Sequence, residues 1–190
     1  MNKTHLTDEP NPWTKKSEKI IYDNPWIIVR EHQVIDPSGR DTIYGVVSAK
    51  HLAIGIIPLD ERNNTWLVGQ YRYPLGRYSW EIVEGGGKFD VDTIESAKRE
   101  LKEETGLEAR EYTEILRMQT SNCISDEIAI IYVAKGITEG IASPDDDEKL
   151  KVVKVPFSEA YRLVMEGKIE DSLSVGGILK AHLLMKEGKL

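Results

Sequence analysis

GGGKFDVDTIESAKRELKEETGL, residues 85–107, is the stretch around which the rest of the 190-residue chain is read. Asp92 is followed three residues later by Glu95, the spacing of a capping box, which predicts a helix beginning at Thr93. Gly106 is a natural stop, because glycine enters the left-handed conformation just past a helix end. Ile94, Ala97 and Leu101 recur at helical spacing and would face a core. Glu100, Glu103 and Glu104 then project from the neighbouring flank, since residues three and four apart sit side by side. Like charges at that spacing destabilise an isolated helix by about 0.2–0.5 kcal/mol per pair. Lys98, Arg99 and Lys102 offset part of that cost. The ordinary meaning of such a cluster is a solvated acidic face. The sharper one is a divalent-metal platform, because Mg²⁺ takes oxygen ligands from a few carboxylates plus substrate phosphates.

The spacing resembles the box of the Nudix hydrolases, G-x5-E-x7-R-E-U-x-E-E-x-G-U, where U is apolar. With Arg99 on the box arginine, Glu100, Leu101, Glu103, Glu104, Gly106 and Leu107 fall on their matching positions, and Gly85 falls on the first glycine. One position departs: the first box glutamate is Val91 here, flanked by Asp90 and Asp92.

Composition bounds the remaining possibilities. The chain is 40% hydrophobic and 30% charged, which suits one globular domain with a small extension. A net charge of −7 argues against nonspecific binding to nucleic acid or to an anionic membrane. The single cysteine, Cys123, excludes an internal disulfide framework and fits a reducing compartment, so a cytoplasmic location is expected. No apolar run has the length of a membrane span, and the polar N-terminus does not read as a signal peptide.

Along the chain, residues 1–16 read as a polar arm, with Trp13 as its docking side chain. Glu18 to Tyr22, Trp26 to Val34 and Asp41 to Val47 read as three strands of an N-terminal sheet, with Asp36-Pro37-Ser38-Gly39 as a turn. His51 to Leu59 and Thr65 to Tyr71 are further strands. Residues 72–77 make a loop rich in cationic and aromatic groups, and Trp80 to Val83 leads into the glycines. Gly85, Gly86 and Gly87 read as a flexible turn or a phosphate cradle before the helix. Tyr112 to Gln119, Glu127 to Val133 and Lys151 to Val155 follow as strands. Asp145-Asp146-Asp147-Glu148 reads as a solvated loop. Ser158 is the expected cap of a helix ending at Gly167, and Asp171 or Ser172 starts a last helix that would bury Leu173, Leu179 and Leu183.

Gln70-Tyr71-Arg72-Tyr73-Pro74, Trp80-Glu81-Ile82-Val83-Glu84-Gly85, Ser125-Asp126-Glu127 and residues 167–172 resemble the ADP-ribose and nucleoside-diphosphate-sugar pyrophosphatase branch of that family. Val83-Glu84 replaces the branch's Pro-Ala, and Ser121-Asn122-Cys123 replaces its Ser-Pro-Gly. The resemblance implies an α+β fold: an α/β/α sandwich with a mixed sheet over residues 48–190, preceded by an arm and dimerisation sheet over residues 1–47. It implies hydrolysis of a nucleoside diphosphate sugar to a nucleoside monophosphate and a sugar phosphate, by a homodimer that uses Mg²⁺ or Mn²⁺. Glu100, Glu103, Glu104 and the Glu84 carbonyl would hold the metal, Arg99 would orient the carboxylates, and Glu127 would activate water, with Asp126 its nearest rival. Arg72, Arg77, Gly85 and Gly86 would meet phosphate, and Trp13, Trp26 or Tyr73 would stack on the base. Two alternatives stay open: a hydrolase of other nucleoside diphosphate or polyphosphate compounds, and a non-catalytic nucleotide-sugar sensor.

Overall fold

A computed structural model describes residues 8–142 and 149–190. The acidic run at 145–148 lies outside the described residues. Three strands open the chain as an antiparallel sheet: β1 (Thr14–Asp23), β2 (Ile27–Ile35) and β3 (Asp41–Ala49). The arm is therefore shorter than the sequence suggests. Trp13 docks edge-on against Tyr44 of β3, with ring centroids 5.3 Å apart.

The rest of the chain is built on β4 (Leu52–Leu59), β5 (Asn64–Arg72), β6 (Arg77–Glu81), β7 (Val83–Gly87), α1 (Thr93–Thr105), β8 (Leu107–Glu108), β9 (Glu111–Gln119), β10 (Ile128–Lys135), β11 (Thr138–Glu139), β12 (Lys151–Pro156), α2 (Phe157–Met165) and α3 (Ser172–Lys186). A mixed sheet of order β7-β4-β10-β9 forms its centre, with β4 and β10 parallel. An antiparallel sheet, β12-β5-β6, and the short ribbon β11-β8 complete it.

Strand alternation explains the layers. Ile54 and Ile56 of β4, with Ile130 and Tyr132 of β10, pack with Ala97 and Leu101 of α1. Ile57 and Leu59, with Ile131 and Val133, pack with Phe157 and Ala160 of α2 and Leu173, Ile178 and Ala181 of α3. Both faces of these strands are covered, so they carry near-continuous apolar runs. Each such isoleucine or leucine removed from water contributes about 1.5–3 kcal/mol.

Local chemistry sets the ends of α1. The Asp92 carboxylate accepts from the Ile94 amide at 2.9 Å, and Gly106 closes the helix at φ 72°. A side chain at Gly106 would also meet the main chain of Ala142 at 2.5 Å, so glycine is required there twice over.

Several expectations are corrected. Gly85-Gly86-Gly87 is neither a loose turn nor a loop before the helix. The three glycines lie within β7 and pair with Ile54, Ala53 and Leu52. Ser158 does not cap α2: Pro156 stands at that cap without a side-chain bond, and the Phe157 amide donates to the Asn63 carbonyl. Leu183 faces outward on α3, whereas Leu173 is buried. Asp171 is the cap of α3, accepting from the Ser174 amide at 2.8 Å. Residues 73–75 form a 3-10 turn inside the cationic loop. None of the described helices is long and apolar enough to cross a membrane.

Candidate active site

Strand β7 and helix α1 meet so closely that one side chain has to be missing. A Cβ on Gly85 would lie 1.9 Å from Cδ of Glu100, so the absence of a side chain makes room for that carboxylate. Arg99 then ties the helix to the strand. One Nη donates to the Gly86 carbonyl at 2.8 Å and to Glu100 at 2.5 Å, and the other donates to Glu103 at 2.6 Å. The two carboxylate charges hold the Arg99 pKa above its ordinary value, against the opposing effect of burial. Glu104 is buried and accepts from the Glu84 amide at 3.4 Å.

A second charged network stands on the other side of β7. Arg72 makes a forked contact with the buried carboxylate of Glu81, with Nε 3.0 and 3.1 Å from its two oxygens. Its guanidinium also lies 3.9 Å from Glu84. The Glu84 carboxyl accepts from the Ser174 hydroxyl at 2.9 Å, and the same hydroxyl oxygen accepts from the Ile82 amide. Burial, then the neighbouring Asp171, pushes the Glu84 carboxyl well above the usual range. Asp171 goes the other way: burial opposes its ionisation, but bonds from Glu84 and Ser174 and the charge of Arg72 hold it below the usual range.

Two adjoining cavities open along this strand. One, of about 770 Å³, is lined by Gly85 and Gly86 with Arg99, Glu100 and Glu103. The other, of about 500 Å³, is lined by Trp26, Arg72, Thr120 and Glu127. Both include His51, Glu84, Gly85 and Gly86, so Glu100, Glu103, Arg72 and Glu127 face one continuous cleft, while Glu104 lies buried behind it. Glu127 accepts from the Thr120 hydroxyl at 2.7 Å. Asp126 is engaged elsewhere, accepting from the Ala49 amide at 3.1 Å.

The remaining expected residues spread out. Trp26 is exposed at the rim of both cavities. Tyr73 is 90% exposed and lines neither of them. Arg77 pairs with Glu170 and borders a neighbouring cavity that shares Arg72 with the cleft. Sequence reasoning missed the roles of Glu81, Asp171 and Ser174. Glu81 sits inside a quoted motif, but its pairing with Arg72 depends on the β5–β6 hairpin. Asp171 reads from sequence as a helix start and as part of the resembling segment 167–172, with no role in the site attached.

The donor set suits a hard divalent cation. It is all oxygen, and the Gly85 gap admits one carboxylate against the strand backbone. Among the described residues no three His, Cys, Asp or Glu side chains form a ready-made cage.

Comparison with known proteins places the chain in a family. A NUDIX domain model matches residues 49–173, and a nucleoside diphosphate sugar hydrolase N-terminal domain model matches residues 13–47. The chain is 31% identical to an ADP-ribose pyrophosphatase of Mycobacterium tuberculosis over 87% of this chain and 81% of that protein. It is 35% identical to a methanol dehydrogenase activator of Bacillus methanolicus over 65% of this chain and 68% of that protein. A crystal structure of an ADP compounds hydrolase superposes with a TM-score of 0.84 at 18% identity, over 97% of this chain and all of that one, which shows the shared fold. With its NUDIX match across 49–173 and Glu100 of its box seated against Gly85, the chain belongs to the Nudix hydrolase family.

Proposed function

We propose that this enzyme hydrolyses the diphosphate of a nucleoside diphosphate sugar such as ADP-ribose, giving a nucleoside monophosphate and a sugar phosphate. The observation that carries the reading is the shared cleft, where Glu100 and Glu103, the β7 backbone, Arg72 and Glu127 face one space. The N-terminal domain match and the Mycobacterium tuberculosis relative favour this substrate class over other nucleoside diphosphate compounds. The three helix carboxylates Glu100, Glu103 and Glu104 argue against a sensor, which has no need of them.

Glu100, Glu103 and Glu104, with the Glu84 carbonyl, are the residues that would hold Mg²⁺ or Mn²⁺. Such a cation, when bound, neutralises diphosphate charge and stabilises the leaving oxygen. Arg99 orients Glu100 and Glu103 through its fork. Arg72, its fork held by Glu81, presents positive charge to the phosphates from a fixed place beside the cleft. Arg77 lies farther along the same loop, and Gly85 and Gly86 let phosphate approach the strand. Water attacks one phosphorus, the bridging P–O bond breaks, and the departing phosphate keeps the electron pair. Glu127 takes the proton of that water, since a general base must stand within hydrogen-bond reach of it. Trp26 at the rim stacks on the base.

The exposed Ile20, Ile21, Tyr22 and Ile43 on the N-terminal sheet would be covered in a homodimer. A cytoplasmic location accords with the lone exposed Cys123. Phosphate release after phosphatase coupling, across ADP-ribose and UDP-, GDP- and ADP-sugars with Mg²⁺ or Mn²⁺, tests the substrate class. Turnover restricted to nucleoside triphosphates would overturn the reading, and a monomeric mass by light scattering would overturn the dimer.

A further inference from the structure

The segment between β9 and β10 looks like a surface loop in sequence, yet it is stitched to a strand nearly eighty residues away. The Val47 amide of β3 donates to the Ile124 carbonyl at 2.8 Å, and the Asp126 amide donates back to the Val47 carbonyl at 3.3 Å. Val47 and Ser125 thus form a parallel bridge. The Tyr44 hydroxyl donates to the Cys123 carbonyl at 2.7 Å. Val47 and Ala49 are two apart on the strand, so their amides point the same way. The Ala49 amide finds its acceptor in the Asp126 carboxylate at 3.1 Å. Inside the loop, the Ile124 and Ser125 amides both donate to the Ser121 carbonyl, and the Glu127 amide donates to the Ser125 hydroxyl.

We propose that Asp126 is a positioning residue that clamps residues 120–127 onto strand β3 through the Ala49 amide and so fixes Glu127 in the cleft. The proposal rests on the reading of Glu127 as the group that takes the proton. Successive side chains of an extended segment leave the backbone on opposite sides. Asp126 turns to the N-terminal sheet while Glu127 turns into the cleft beside Thr120. Holding the one therefore aims the other. The N-terminal sheet thereby contributes to turnover without touching the reacting atoms. Tyr44 acts on the same loop, and Trp13 packs edge-on against Tyr44, so the start of the chain belongs to the clamp as well.

The test is a kinetic set on the full chain: Asp126→Ala, Asp126→Asn, Tyr44→Phe, Glu127→Gln, and Asp126→Ala combined with Glu127→Gln. Asparagine keeps a side-chain oxygen for the Ala49 amide but cannot take a proton. Asp126→Ala is expected to lower kcat by about tenfold to a hundredfold, the range that a misplaced catalytic group costs, with KM changed less than about twofold. Asp126→Asn should recover most of that loss. Tyr44→Phe, which is the least disruptive to folding, should lower kcat by about threefold, a share of the same misplacement. In the Glu127→Gln background Asp126→Ala should cost less than about twofold, because a residue acting through another is non-additive with it. The clamp is overturned if Asp126→Ala keeps wild-type kcat while Glu127→Gln loses it, or if the double variant shows the full product of the two losses. An asparagine variant as slow as alanine would also overturn it, since charge and not the held amide would then matter. Full activity of Glu127→Gln would bring down the Glu127 reading itself, and the clamp with it.

Discussion

Two arginines flank strand β7, each gripped by carboxylates, and they live in different surroundings. Arg99 lies on an open helix face with its side chain 48% exposed, and Glu103 beside it is 36% exposed. Arg72 is less exposed, and its partner Glu81 is almost sealed, at 3%. The Arg99–Glu103 contact can exchange partners, since water or a cation can replace the guanidinium there at little cost, although Glu100, the second partner of Arg99, is buried. The Arg72 cluster cannot, because a buried carboxylate deprived of its counter-charge loses far more than the pair contributed. The same two residue types thus serve a working surface on one side of the strand and a rigid brace on the other.

The sharpest way to break that contrast is at Glu103. Glu103→Gln is expected to lower kcat by on the order of 10²–10³, the loss typical of a group aimed at developing charge. Stability should move by less than about 0.5 kcal/mol, as for other surface changes. Excess chelator should reproduce the loss in the unchanged protein. Kinetics alongside thermal unfolding by circular dichroism checks both halves, and a Gln variant that is merely unfolded would remove Glu103 from the working surface.

Gly85→Ala probes the seam between helix and strand. The added methyl collides with the Glu100 carboxylate, whose Cδ would lie 1.9 Å away. Overpacking of this kind costs about 1–3 kcal/mol. Displacement of Glu100 should lower kcat by about 10²-fold, as a misplacement near 1 Å does. An alanine variant of normal stability and turnover would mean that Glu100 has another place to go.

Arg72→Ala attacks the brace. It strands the Glu81 carboxylate in the interior and should destabilise the protein by about 3–5 kcal/mol. Glu81→Gln leaves an arginine that can reach water, and should cost only about 1–2 kcal/mol. Urea unfolding of both variants reads the asymmetry directly. Equal losses would mean that the two clusters do not differ as described.

Legibility in the sequence follows the same divide. The box helix announces itself, because its cap, its apolar stripe and its carboxylates all lie within residues 92–106. The buried strands β4 and β10 are legible from their apolar runs. The β7 glycines were not, since a strand without side chains has no alternation to read, and its pairing with β4 is purely main-chain. The Arg72–Glu81 fork needs a hairpin to form, and two of the four bonds by which β3 holds residues 120–127 run from backbone to backbone. Such bonds leave no trace in residue type. Ser158 misled because a plausible cap stood two residues from the proline that occupies the position.

Arg77 supplies the smallest test and separates a nearby charge from a working one. It follows Arg72 by five residues in the same cationic loop, and sequence spacing alone gives both the same role. Its pair with Glu170 is exposed on both sides, 56% and 52%, and such pairs contribute no more than about 1 kcal/mol. Arg77→Ala should therefore leave the unfolding midpoint nearly unchanged. It borders the cavity next to the cleft and lines neither of the two that hold the box residues. An arginine at that remove adds to the field felt by a diphosphate without gripping it. The expected result is a rise in KM of less than about threefold that fades as salt is raised, since screening over roughly 8–10 Å removes distant charge effects first. A large KM rise that persists in high salt would put Arg77 in direct contact with substrate, and the cleft would then have to extend past the 3-10 turn.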